Sequence, residues 1–529
     1  MPNIDGSHAH PESEDDNGSA TRRAERKQRR TAVAAVALLL VVSSGLGLFR
    51  DLSLAALFGA SSNTDAFLVA WTIPETATPL TGDAIVYLLV PVFVAELSRK
   101  GSVARVVQST LLPLLASATA LAVVAAGAAP LLVNLLAPGI ADRALAISCF
   151  RVASVTVLFM AAAGYMMAVL RAHHRFIPSA STYAAYNVGI ICCMFFLYRR
   201  LGVLGAAVGL AVGSMLMVAV QIPAFLDVAS FRGLRMRITR PLLLAAYSFV
   251  PVGAYALGRQ AQVFVERFVG SFLDPGAISH MNFASKIAQV PMLLALTTAT
   301  VAFPSIAGAL HNKELLRRRV DDELRRVILL VLPAIAFLEC FAEPCVRLLL
   351  QRGLFDATDT AVTANVMRLY SLGLVGQVLV VVGVIVSFSG RRSWSPALAA
   401  LGGLGVTVLL DVVLMGTMGV LGLAVGNAAG ISVAAFLILK AVSRDVVPYN
   451  APGLLLLLLK SAPLAIGAAG LSWLLTRELA DSPLLLVFLG GVGTVVFFLA
   501  AITLAKLISV DALADSAILG RWLGSRKRR

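Results

Sequence analysis

Apolar stretches long enough to cross a bilayer follow one another from residue 32 almost to the C-terminus, separated by short polar or basic connections. A span needs about 20 mostly apolar residues, and in lipid only helices or closed barrels satisfy every backbone donor and acceptor. The stretches show no strict apolar–polar alternation, which argues against a barrel. The pattern predicts an all-α polytopic membrane protein with about fourteen transmembrane helices. They fall at 32–49, 64–97, 105–136, 145–170, 179–198, 202–226, 241–270, 278–309, 322–350, 361–388, 395–415, 418–440, 452–475 and 483–507. The second and eighth are long enough to be tilted, bent or broken.

Basic residues collect in alternate connections. The segment "TRRAERKQRR" precedes the first span, and the connections after even spans include "SRKGSVAR", "RAHHR", "FRGLRMRITR", "HNKELLRRRVDDELRR" and "GRRS". Connections after odd spans, such as "APGIADR", "DPGAIS" and "GTMG", hold fewer; Arg199 and Arg200 are the exception. Because cytoplasmic connections collect Lys and Arg, both termini are expected in the cytoplasm. Residues 1–31 read as a disordered polar tail with a basic end, and 508–529 as a second basic tail. A cleaved signal peptide is not expected, since the apolar run starts late and no small-residue cleavage pattern follows.

Composition adds that there is no room for a soluble domain. The chain is 58% hydrophobic and 14% charged, against about 25% charged in soluble domains. Its net charge of +15 is assigned to loop asymmetry, not to nucleic-acid binding. Cys149, Cys192, Cys193, Cys340 and Cys345 lie in apolar runs without metal-site spacing, and His8 and His10 read as solvated. Neither a metal nor a cofactor is expected. With no P-loop, HExxH or strand–helix GxSxG, the chain reads as no enzyme. Any transport would draw on an ion gradient, the membrane potential or the substrate's own gradient.

An internal repeat organises the spans. "GVLGAAVGLAVG" at 202–213 and "GVLGLAVGNAAG" at 419–430 match at nine of twelve positions, 217 residues apart. "VPVFVAELSRK" at 90–100 resembles "FPSIAGALHNK" at 303–313, 213 residues apart. The offset spans six segments, which predicts two parallel six-helix lobes, 32–226 and 241–440, with the pair in 452–507 appended. Parallel repeats of this kind place a substrate cavity between the lobes.

Charges within the spans mark that cavity, because ionisable groups in a membrane are costly unless paired or hydrated. Glu75, Asp83 and Lys286 sit well inside long spans, and Pro74, Pro79 and Gly82 interrupt the second span, freeing backbone carbonyls. Arg259 and Arg267 lie about two helical turns apart and can share a face, whereas Glu266 is adjacent to Arg267 and points differently. Asp65 follows Asn63 and Thr64 at a helix start, where N-capping and a cavity role are both open. Arg50 and Asp51 lie near the end of the first span, where an arginine can reach the interface. A positively lined cavity suits a pyrophosphate, since the arginine fork matches phosphate oxygens.

"GLGLFRDLSLAALFGASSNTDAFLVAWTIP" resembles the start of the MurJ/MviN family, flippases of the peptidoglycan precursor lipid II in the multidrug/oligosaccharidyl-lipid/polysaccharide (MOP) exporter superfamily. "LRAHHRFIPSASTYAAYNVGI", "SFLDPGAISHMNFASKIAQVP" and "RGLFDATDT" are similar to further family stretches, so the likeness runs from about residue 40 to 440. The resemblance implies fourteen helices in two lobes and a basic cavity for the lipid's pyrophosphate. It places Arg50 and Lys286 on the pyrophosphate. Arg259 and Arg267 are not part of the family pattern and are expected to assist, with Asp65, Glu75, Asp83 and Glu266 as acidic partners or ion-responsive groups. Two basic positions of the pattern are Ser44 and Thr78 or Pro79 here.

The expected function is gradient-driven flipping of lipid II, or a related undecaprenyl-pyrophosphate saccharide, across a bacterial cytoplasmic membrane by alternating access. Expected partners are the lipid-linked anionic saccharide and membrane lipids, with a monovalent ion and cell-wall synthesis proteins as further candidates and no nucleic acid. Two other readings stay open: an exporter of a small molecule, and a non-transporting scaffold in cell-wall assembly.

Overall fold

The computed structural model describes residues 13–78, 89, 90, 93, 94, 103–228, 250–390, 394–478 and 482–507, which are helical with no strand among them. The first half holds α1 (Ser13–Phe58), α2 (Ser62–Ala77), α3 (Val103–Gly127), α4 (Ala129–Leu136), α5 (Arg143–Ser154), α6 (Thr156–Ala172), α7 (Phe176–Leu201), α8 (Leu204–Ala219) and α9 (Ile222–Leu226). The second holds α10 (Val250–Gly270), α11 (Ala277–Ala288), α12 (Met292–Gly308), α13 (Lys313–Leu350), α14 (Ala357–Ser371), α15 (Leu374–Ser389), α16 (Ser395–Met418) and α17 (Val420–Asp445). Helices α18 (Ala451–Thr476) and α19 (Pro483–Leu507) follow.

Ten helical segments among the described residues are long and apolar enough to cross a membrane, or eleven if α14 and α15, bent by 43°, form one broken span. The count of fourteen is not reached there, although each predicted stretch contains helix. Three stretches account for the difference. The second continues from α2 into residues outside the described set. Helix α10 carries Arg259, Glu266 and Arg267, and α11 stops before Pro291, where α12 begins.

The tail predicted to be disordered to residue 31 is helical from Ser13 and runs without a break into the first span. The Arg, Lys, Glu, Gln and Ala of this segment are residue types that favour helix.

Within the first half, α1 packs on α7, α2 on α5, and α7 on α8; in the second, α10 packs on α16, α11 on α14, and α17 on α15 and α16. The pair α18–α19 packs on α13. Helix α13 bends at Phe341 (φ −108°, ψ 18°), three residues before Pro344, whose ring displaces the preceding turn. The halves meet where α2 touches α10 and α11, α1 touches α13, and α4 touches α10.

The glycine turns of the two matched stretches share a conformation. Gly202 (φ 54°, ψ −137°) ends α7, and Gly419 (φ 56°, ψ −133°) ends α16, both in a region that side chains disfavour. A Cβ on Gly205 would lie 2.9 Å from Leu197 Cβ, and one on Gly422 would lie 2.9 Å from Leu414 Cβ, again 217 residues on. These glycines let α7–α8 and α16–α17 pack backbone against backbone.

Candidate functional site

A cavity of about 350 Å³ lies where the last turn of α2 faces the second half, and α10, α11, α16 and α17 supply much of its wall. Helix α2 starts on a Ser61 cap that accepts from Thr64 N, runs through Pro74, and ends at Thr78, whose hydroxyl donates to the Pro74 carbonyl at 2.7 Å. This places Glu75 beside the second half, where Gln260 Nε2 donates to its backbone carbonyl at 2.7 Å.

The Glu75 carboxylate lies between two cations. Its Oε2 is 3.8 Å from Arg267 Nη2 on α10, and its Oε1 is 3.6 Å from Lys286 Nζ on α11. Arg267 is 3% exposed, and its Nη2 also donates to Asn282 Oδ1 at 3.4 Å. Arg267 Nε and Glu75 Oε2 are buried with no hydrogen-bond partner. Both ion-pair separations exceed the roughly 2.7–2.9 Å of a direct charge-assisted hydrogen bond.

Glu266 reaches the same cavity, although its neighbour Arg267 does too. The two, expected to point apart, both line the cavity with different partners. Glu266 Oε1 accepts from Asn427 Nδ2 of α17 at 2.5 Å and from Gln262 Nε2 at 3.4 Å. Asp411 on α16 lies within electrostatic range of Glu266. It is fully buried, and neither of its carboxylate oxygens has a hydrogen-bond partner.

Arg50 does not line this cavity. Its Nη2 is 2.7 Å from Asp51 Oδ1, its Nη1 donates to Asn187 Oδ1 on α7 at 2.8 Å, and its guanidinium lies 4.2 Å from the Trp71 ring centroid. Asp65 is also elsewhere. Its carboxylate caps α11 across the interface between halves, accepting from Gly276 N at 2.7 Å, Ser279 N at 2.8 Å and Ser279 Oγ at 2.5 Å. So it is an N-cap, but of a helix over 200 residues on. Pro79, Gly82, Asp83 and the side chain of Arg259 lie outside the described residues.

The Asp65 cap belongs to a seal along one end of the molecule. Leu354 N donates to Ala56 O at 2.9 Å, Ala60 N to Asp359 Oδ2 at 3.3 Å, and Gly139 N to Ser271 Oγ at 3.1 Å. Gly276 (φ 97°) presses so close that a Cβ would lie 2.5 Å from Ala60 O.

The cavity thus offers a buried guanidinium and a partly exposed ammonium, with amides around them, suited to an anion with several oxygens. Sequence reasoning found Arg267, Lys286, Glu75 and Glu266 but missed Gln260, Asn282 and Asn427, and did not select Asp411. Amides and a carboxylate within otherwise apolar helices were the available signal.

A family model described as Lipid II flippase MurJ matches residues 54–490. The chain is 27% identical over 451 residues to "Lipid II flippase MurJ" of Burkholderia cenocepacia, covering 82% of this chain and 87% of that protein. It is 28% identical over 395 residues to "Probable lipid II flippase MurJ" of Rhizobium meliloti, covering 70% and 72%. Among solved structures, one titled "Lipid II flippase MurJ, inward closed conformation" superposes with a TM-score of 0.73 at 21% identity, over 89% of this chain and 99% of that one. An inward-facing multidrug resistance MATE transporter of the MOP superfamily gives 0.64 at 14% identity, over 75% and 92%. At these identities the structures speak for the fold.

Proposed function

The chain belongs to the lipid II flippase MurJ family, and we propose that it carries lipid II by presenting Arg267 and Lys286 to the lipid's pyrophosphate. It is a polytopic membrane transporter of the bacterial inner membrane and not an enzyme. The observation that carries the site assignment is the pair of cations on α10 and α11, which converge on one carboxylate at the cavity wall. An arginine fork binds phosphate oxygens in pairs, and a lysine adds a point charge. Arg50, tied to Asp51, Asn187 and Trp71, serves in this arrangement to hold α1, α2 and α7 together.

The reading takes 32–226 and 241–440 as two lobes that rock about the cavity, with both termini cytoplasmic. In that orientation the sealed end, built from connections poor in basic residues, faces outward. The state is then closed to the outside, and outward release requires the Asp65 cap on α11 to part. Glu266 and the unpartnered Asp411 are the groups we assign to a monovalent cation, whose binding would bias one lobe position. Asp83 is retained as a further acidic group, and Arg259 as a further cation, of the same pathway.

The test is complementation. The chain is expressed in a bacterium whose own lipid II flippase is being depleted, alongside Arg267→Ala and Lys286→Ala. Rescue by the parent chain and loss in both variants, each shown to be present in the membrane, is expected. Rescue by both variants would overturn the site. Failure of the parent chain, present in the membrane, would overturn lipid II as cargo.

A further inference from the structure

We propose that Glu75 is a built-in occupant of the anion site, which a pyrophosphate must displace and whose displacement releases α2 from α10 and α11. The inference rests on the assignment of Arg267 and Lys286 to the pyrophosphate. Glu75 comes from the first half of the chain, while both cations come from the second. Their ion pairs therefore bridge the two halves at the cavity wall.

Three features make this carboxylate a weak incumbent. Its contacts to the cations, 3.8 and 3.6 Å, are too long for good charge-assisted hydrogen bonds. Arg267 Nε and Glu75 Oε2 are each buried without a hydrogen-bond partner, so the pair is only partly satisfied. Glu75 also lies in the last turn of α2, where the helix dipole disfavours an anion. Among the described residues, the ion pairs of its carboxylate are those with the two cations.

A pyrophosphate carries more charge and more oxygens than one carboxylate. It can engage Lys286 and both edges of the Arg267 guanidinium, including the idle Nε. A monophosphate gains less against the same incumbent. Glu75 therefore sets a threshold that favours pyrophosphate-bearing lipids over monophosphate-bearing ones. Once expelled, the carboxylate no longer ties the halves, and among the described residues the Gln260 bond to the Glu75 carbonyl remains at this position. Occupancy of the site is thereby coupled to separation of the halves.

Full-length protein in lipid nanodiscs would be titrated with undecaprenyl pyrophosphate and, separately, undecaprenyl monophosphate. The set comprises the parent chain, Glu75→Gln, Glu75→Asp, Arg267→Gln and Lys286→Gln, with melting temperature as the check on folding. Glu75→Gln should bind the pyrophosphate about tenfold more tightly, as expected when a competing charge is removed from a pair. It should also discriminate less between the two lipids and transport more slowly in vesicles, so that KM and kcat fall together. Glu75→Asp, too short to reach both cations, should shift in the same direction by less, and it decides the question if the Gln variant does not fold. Unchanged or weaker binding in a folded Glu75 variant overturns the proposal. Unchanged binding in both Arg267→Gln and Lys286→Gln overturns the underlying site assignment, whatever Glu75 does.

Discussion

Asp65 on α2 and Ser279 on α11 join the two halves of the chain through one oxygen. Asp65 Oδ1 accepts both the Ser279 N–H at 2.8 Å and the Ser279 hydroxyl at 2.5 Å, while Oδ2 takes Gly276 N. Replacing Asp65 by Ala leaves these buried donors unmet. The sealed arrangement should lose about 3 kcal/mol, given roughly 1–3 kcal/mol for each unsatisfied buried group. Solvent labelling of a cysteine placed at Ser271 should rise in Asp65→Ala, and by less in Asp65→Asn, which keeps one acceptor. Equal protection in all three would show that the seal does not depend on this cap.

The same end depends on backbone approach. Gly276 has φ of 97°, and a Cβ there would lie 2.5 Å from Ala60 O. Gly276→Ala is therefore both strained and crowded, and should cost about 2 kcal/mol or more. The checks are melting temperature and complementation, both of which should fall. Gly127→Ala, where a Cβ meets nothing within 4 Å, is the control and should leave both unchanged.

Arg50 offers a separation of framework from cargo. A lysine keeps the charge but cannot fork to Asp51 and Asn187 together. Arg50→Lys should lower the melting temperature while leaving the Kd for undecaprenyl pyrophosphate within about twofold, since losing one charged hydrogen bond costs about 1.5–3 kcal/mol of folding rather than binding. A Kd weakened as much as in Lys286→Gln would instead place Arg50 on the ligand.

Asp411 bears on the ion. Its buried, unpartnered carboxylate is unfavourable without a cation. Asp411→Asn should be more stable than the parent chain in sodium-free, potassium-free buffer and should lose any rise in melting temperature when either salt is added. A parent chain whose melting temperature ignores both salts would remove the monovalent cation from the mechanism.

Local pattern carried much of this architecture. The apolar runs marked helices, and the glycine repeat marked matching turns at Gly202 and Gly419. Lys286 and Glu75 stood out because charges within long apolar runs need a cavity. Partner choice was not legible. Arg50 is drawn away by Asn187, 137 residues distant, and Asp65 caps a helix 214 residues away from itself while Ser61 caps its own. Such contacts arise from how helices assemble, which no window of sequence encodes. Glu266 and Arg267, neighbours on one helix, both reach the cavity because it wraps around part of α10 rather than facing a single stripe.

The matched glycine turns invite one more comparison. Moving back 217 positions from Asp411 and Asn427 gives Met194 and Leu210, both fully buried and apolar. The two matched turns are thus flanked by different chemistry: apolar side chains in the first half, carboxylate and amide in the second. Carboxylate and amide side chains grafted at Met194 and Leu210 would ask whether the matching positions of the first half accommodate what the second half holds.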